Sequence, residues 1–249
     1  MILKKLLMHS YRGGSGKTVF SLNLAKRIVD SGKRVLLIET DFAMPSFYDI
    51  FDKQPKNYFN DFYEGRCKFE NLIFALEENW DTIFCSPTFS FSEKAFSSDF
   101  KHHSKILKEI MKSLKKLEKD YDICIIDSCP GFGFIQINNI LLSEDIYLLI
   151  RAGEASFKGT MNMIHNIFAN GFVYGQKINL IWNQIPNVEE TGPIIYEWTE
   201  NIKNKAEIDK IYELFYSDDV AGQLMYGKHF IEGKNDFTNL IGLIASDLV

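Results

Sequence analysis

The sequence predicts a single α/β domain: a mainly parallel sheet with helices on both faces, a three-layer sandwich spanning residues 1–249. Three observations predict it. Short runs that are apolar throughout, such as Val35-Leu36-Leu37-Ile38 and Ile123-Cys124-Ile125-Ile126, alternate with longer segments of three-to-four periodicity. A continuous apolar run needs cover on both faces, which crossover helices supply to a parallel sheet. No internal repeat and no linker rich in Pro, Gly or Ser breaks this rhythm.

Taken in order, Leu6-Leu7-Met8 closes a first strand. Its apolar stretch is too short for a secretory leader and runs straight into a glycine-rich turn. Residues 15–31 follow as a helix stopped by Gly32, then Val35 to Ile38 as a strand. Residues 47–80 read as mostly helical and residues 81–85 as a strand. Residues 101–119 form a long helix, with Ile106, Leu107, Ile110, Met111, Leu114 and Leu117 on one face. Strands follow at 123–126, 146–150 and 178–182, the last two separated by a helix over 157–169. A helix at 194–205, a strand at 212–216 and two short helices complete the chain, the last with Phe237, Leu240, Ile241, Ile244 and Leu248 on a core-facing side.

The chemistry concentrates in Arg12-Gly13-Gly14-Ser15-Gly16-Lys17-Thr18, between the first strand and the first helix. Glycines let consecutive backbone N–H groups turn inward around phosphate oxygens, and the helix start adds its positive end. Lys17 adds a full charge and Thr18 a hydroxyl suited to Mg²⁺. These residues mark a nucleotide-phosphate site. Two more strand ends carry carboxylates: Glu39-Thr40-Asp41 and Asp127-Ser128-Cys129-Pro130-Gly131. Alone, the first pair would cap a turn; beside a phosphate loop it reads as functional. Four apolar residues ending in Asp127 form a Walker B pattern, in which the carboxylate holds Mg²⁺.

The first glycine of G-x-x-x-x-G-K-[ST] would fall at position 11, where this chain has tyrosine, and a cation at position 12 precedes Gly-Gly. The loop resembles the deviant K-G-G-x-G-K-[ST] of the MinD/ParA family of P-loop ATPases, with Arg12 in place of the signature lysine. The resemblance runs from the first strand to the final helix and implies a Rossmann-like P-loop fold and an Mg-ATPase that dimerises on ATP and dissociates on hydrolysis. It implies that Lys17 and Arg12 act on the phosphates, Arg12 from across the dimer, a job that a guanidinium fork can do. Asp41 would orient the attacking water, with Glu39 beside it where the family has aspartate. Thr18, Asp127 and Glu39 form the expected metal set. Gly131 would sense the γ-phosphate through its N–H, and Asn183 would read adenine through its amide. Guanine-binding relatives have N-K-x-D or T-K-x-D; proline at position 186 leaves ATP the expected nucleotide. Residues 215–220 resemble the late loop that covers the base.

Partners are less legible. The resemblance implies a homodimer, an activating protein, and a role in spatial positioning or partitioning. The lysines at 101, 105, 108, 112, 115, 116 and 119 read either as a solvated face or as a patch for DNA phosphates or anionic lipid. The aromatics of residues 42–63 read as core, with an ATP-dependent contact surface as the second reading. A net charge of −5 argues against coating nucleic acid by bulk charge. Four scattered cysteines point to free thiols in a cytoplasmic protein, and Cys129 to a small packed residue. The competing function is a small-molecule kinase or ligase on the same scaffold, which would need a second pocket for its acceptor.

Overall fold

The computed structural model describes residues 3–87, 99–169 and 171–249. Among these residues eight strands form one sheet: β1 (Lys4–His9), β2 (Val35–Thr40), β3 (Phe74–Glu77), β4 (Trp80–Ile83), β5 (Ile123–Ser128), β6 (Asp145–Arg151), β7 (Lys177–Ile185) and β8 (Lys210–Phe215). Their spatial order is β3-β4-β2-β5-β1-β6-β7-β8, and every pairing is parallel except that of the short edge strand β3 with β4.

The expected two-sided burial is present. On β1, Leu6 and Met8 face one hydrophobic cluster and Leu7 the other; on β5, Ile123 and Ile125 oppose Cys124 and Ile126 in the same way. One face is covered by α1 (Lys17–Asp30) and α9 (Asp236–Leu248), locked together by Phe20 edge-on to Phe237 at 5.8 Å. The final helix is therefore a core helix, as its apolar spacing predicts. The other face receives α4 (Phe100–Lys116), α5 (Phe134–Leu142), α6 (Glu154–Ala169) and α7 (Thr191–Lys203). The short helix α8 (Asp218–Met225) lies between β8 and α9 in the chain.

Residues 47–80 differ from expectation. They hold two five-residue helices, α2 (Phe47–Phe51) and α3 (Phe59–Tyr63), then a single 3-10 turn and β3. Their aromatics are core. Phe42 packs on Phe59 and Tyr63, and Phe51 packs edge-on against Trp80 and Phe84. Burial of this many rings overrides weak local helix preference, because each contributes more apolar area than any propensity term offsets.

This topology fixes where the chemistry sits. Strands are added on one side of β1 as far as β3, then on the other from β6 outward, so the chain reverses its direction of growth at β1. The crevice beyond the carboxyl end of such a strand is where an open parallel sheet binds ligands. The phosphate loop occupies that place.

Candidate nucleotide-binding site

Gly16 is the residue just before α1, with φ of 92°, and Gly14 has φ of 72°. A side chain at Gly16 would be strained on the backbone and would also meet Asn183 Nδ2 at 2.7 Å. Lys17 opens the helix. Its ammonium is buried and donates to Ser10 Oγ at 3.0 Å; burial lowers its pKa, against the pull of Asp127 and Asp41. Among the described residues its one hydrogen bond goes to a neutral hydroxyl, so the buried cation is poised for an anion.

Beside it, Thr18 Oγ1 donates to Asp127 Oδ2 at 2.7 Å, and Ser21 Oγ donates to Asp127 Oδ1 at 3.0 Å. Asp127 is 1% exposed, and burial raises its pKa to about 6, although Thr18, Lys17 and Ser21 favour the ionised form. Hard oxygens at this spacing suit Mg²⁺, which takes one or two protein ligands and completes its shell with phosphate and water. Among the described residues no group of three His, Cys, Asp or Glu forms a metal cage. The site fits a metal shared with a ligand.

Glu39 is the neighbour of Asp127 in the sheet, but its carboxylate is taken up by backbone amides. Its Oε1 accepts from the amides of Ser46 and Phe47 at 2.6 and 3.1 Å, and its Oε2 from the amide of Cys85 at 2.9 Å. Burial pushes it up to about 8 despite those bonds. It ties the end of β2 to the start of α2 and to the chain just after β4. Asp41, by contrast, is half-exposed at the head of that loop, where Oδ1 accepts from the amides of Ala43 and Met44 at 3.1 and 2.9 Å.

Two other expected residues are engaged within the chain. Gly131 has φ of 93°, a conformation open to glycine, but its amide donates to the Ser10 carbonyl at 3.0 Å. Sensing a phosphate with it requires that bond to break. Asn183 donates from Nδ2 to the Ser15 carbonyl at 2.8 Å and accepts at Oδ1 from Gln184 N at 2.9 Å. Each end of its amide keeps half of its capacity, one N–H and one lone pair. Asn183 lines a cleft of about 420 Å³ with Val19, Phe215, Tyr216, Ser217 and Val220. The late residues that resemble a base-covering loop thus border the same cavity as the phosphate loop's Gly16.

Sequence reasoning missed His9, Ser10 and Ser21. Ser10 joins Lys17, the Arg12 carbonyl and Gly131. Its Oγ donates to the Arg12 carbonyl at 2.7 Å and accepts the lysine N–H on one of its lone pairs. His9 Nδ1 meets Ser128 Oγ at 2.7 Å; the serine hydroxyl donates to the Met8 carbonyl, which makes His9 the donor. Burial, aided by Lys17, drives the His9 pKa down to about 3, so the imidazole is neutral and structural. Ser21 could have been found, since it lies one turn from Lys17 on the same helix face. Cys129 is buried and takes an N–H from Gln136 at 2.8 Å; burial pushes its thiol up to about 12. It is packed and inert.

Arg12 alone of the loop's charges turns outward. It is exposed, and among the described residues its guanidinium has no partner.

Residues 3–171 match a protein-family model described as an AAA domain. The septum site-determining protein MinD of Bacillus subtilis is 27% identical over 153 residues, 61% of this chain and 54% of that protein. The chain spans about half the length of the curated relatives it matches. A Cyanothece McdA variant in complex with ATP superposes with a TM-score of 0.79 at 16% identity, covering 99% of this chain and 96% of that one. Pyrococcus horikoshii MinD with Mg-ADP gives 0.74 at 18% identity, covering 99% and 96%. Among the described residues no helix is long and apolar enough to cross a membrane.

Proposed function

The chain belongs to the MinD/ParA family of P-loop ATPases, and from that premise we propose that it is a positioning or partitioning switch. It binds Mg-ATP, dimerises, and dissociates when the ATP is hydrolysed. The outward Arg12 carries this reading: Lys17, the loop's other charge, is buried and drawn toward Asp127, while Arg12 is exposed, as contact with a second molecule requires. Lys17 holds the β- and γ-phosphates, and Thr18 with Asp127 holds Mg²⁺, which when bound neutralises phosphate charge. Asp41 positions the attacking water, and Asn183 reads adenine with its unused N–H and lone pair. Glu39 leaves the metal set and serves to brace the loop that carries Asp41. Gly131 exchanges its bond to Ser10 for the terminal phosphate, which makes the loop after β5 nucleotide-sensitive.

Gel filtration with light scattering tests the reading. A dimer is expected with Mg²⁺ and a non-hydrolysable ATP analogue, and a monomer with ADP. A monomer in both, with turnover stimulated by a small metabolite, would replace it with a kinase or ligase.

The metal assignment has a pH signature. Asp127 holds its proton below about pH 6 in the unliganded protein, and Mg²⁺ must displace it. Magnesium-dependent tightening of ATP binding is expected to shrink as pH falls from 7.5 to 5.5, by calorimetry with and without the ion. In Asp127→Asn the magnesium effect should be small at both values; a full effect there would remove Asp127 from the site.

The lysines of α4 support a polyanionic partner. Lys101, Lys105, Lys108, Lys112 and Lys115 recur at alternating steps of four and three, on an exposed stripe of a protein whose net charge is negative. Lys105 reaches Glu109 only at 3.9 Å, and the remaining four have no ion-pair partner among the described residues. We propose a DNA-binding surface, because phosphates fix several cations in line. Lys108→Glu/Lys112→Glu is expected to lower duplex affinity about tenfold and to flatten its salt dependence, while basal ATPase holds. Unchanged DNA binding, or binding to anionic vesicles alone, would refute this surface.

A further inference from the structure

Tyr11 stands where an ordinary phosphate loop has its first glycine, so its ring must be housed elsewhere. It lies against Gly159 in α6. A Cβ at Gly159 would overlap Cδ1 and Cε1 of the ring and stand 2.9 Å from Cζ. The φ of Gly159 is not positive, so its backbone does not call for glycine, and glycine inside a helix is unfavourable relative to alanine. What accounts for it is the notch it makes. The half-buried ring packs there on the same core as Phe157, Met161 and Ala152.

The residues leading into the loop thus grip three different elements. His9 holds the end of β5, Ser10 holds Gly131 and Lys17, and Tyr11 holds α6. The next residue is Arg12, exposed, with its carbonyl fixed by Ser10. An arginine that must reach a phosphate on another molecule gains little from charge alone if its own backbone wanders, since an ångström of misplacement is costly in phosphoryl transfer. We infer that Tyr11, seated in the notch at Gly159, is a positioning residue that fixes Arg12 at the rim of the loop and couples α6 to the phosphate site. The inference rests on the proposed role of Arg12.

The test compares wild type, Tyr11→Phe, Tyr11→Ala, Gly159→Ala and the Tyr11→Ala/Gly159→Ala pair, by steady-state ATPase, nucleotide titration and thermal melting. Tyr11→Ala is expected to lower kcat about tenfold while ATP affinity changes by less than about threefold, because the cavity for the bound nucleotide is untouched. Tyr11→Phe keeps the ring and should keep wild-type kcat. Gly159→Ala pushes the ring out of its seat and should lower kcat at least as far. The double variant, freed of the clash, should match Tyr11→Ala rather than the product of the two losses, and should recover the Tm lost in Gly159→Ala. If Gly159→Ala does not fold, the two Tyr11 substitutions decide. A wild-type kcat in Tyr11→Ala overturns the inference while leaving the ATPase reading intact. A wild-type protein without ATP turnover overturns both.

Discussion

Lys17→Ala is expected to weaken ATP binding on the order of a thousandfold, while the unliganded protein melts at or slightly above the wild-type temperature. The two halves have one cause. Lys17 is 7% exposed, and burial lowers its pKa, so the folded chain bears the cost of holding a desolvated charge before any ligand arrives. Among the described residues its one hydrogen bond, to the Ser10 hydroxyl, is to a neutral acceptor. Alanine removes that cost, and Ser10 keeps its bond to the Arg12 carbonyl. With phosphate present the balance reverses. The lysine then makes charge-assisted bonds to two phosphate groups, each worth roughly 1.5–3 kcal/mol, and their loss gives the expected factor. Calorimetry with ATP and a thermal melt check both. A variant that binds ATP normally would place the phosphates elsewhere, and one that melts far lower would make Lys17 a structural residue.

Much of this site is legible in the sequence because its parts are local. A glycine-rich turn between a strand and a helix, and aspartates at strand ends, are patterns within a few residues, and the parallel topology brings their ends together. What is not legible is reciprocal. Nothing near Asp41 announces that Glu39, two residues earlier, turns its carboxylate toward the amides of Ser46, Phe47 and Cys85. Ser10 and His9 act through partners up to more than a hundred residues away, and their importance appears only once β1 lies between β5 and β6. Among the elements, α5 is missed because Gln136, Asn138 and Asn139 are buried along with Ile135, Ile140 and Leu142, so polarity along Phe134–Leu142 does not trace the buried face. The edge strand β3 is too short to alternate visibly.

Asp41 separates hydrolysis from binding, and substituting it should halt one without the other. Its carboxylate is close enough to depress proton loss from Lys17 and to raise the pKa of Asp127, so it contributes field at the phosphate site. It also accepts the amides of Ala43 and Met44, which turns the loop away from β2. Two variants divide these roles. Asp41→Asn retains an oxygen to receive both amides and loses the charge, whereas Asp41→Ala loses both. If the carboxylate orients the attacking water, each lowers turnover on the order of a hundredfold or more, the scale of removing one preorganised electrostatic group from such a reaction. ATP affinity should stay within a few fold, since Lys17, Thr18 and the loop amides are unchanged. With hydrolysis blocked, Asp41→Ala should accumulate as an ATP-bound dimer on gel filtration, where wild type returns to monomer as ATP is consumed. Activity in Asp41→Asn but not in Asp41→Ala would reduce the residue to a turn-former. An Asp41→Ala protein that binds ATP yet never dimerises would remove the second molecule from the mechanism, and with it the reason for Arg12 to face outward.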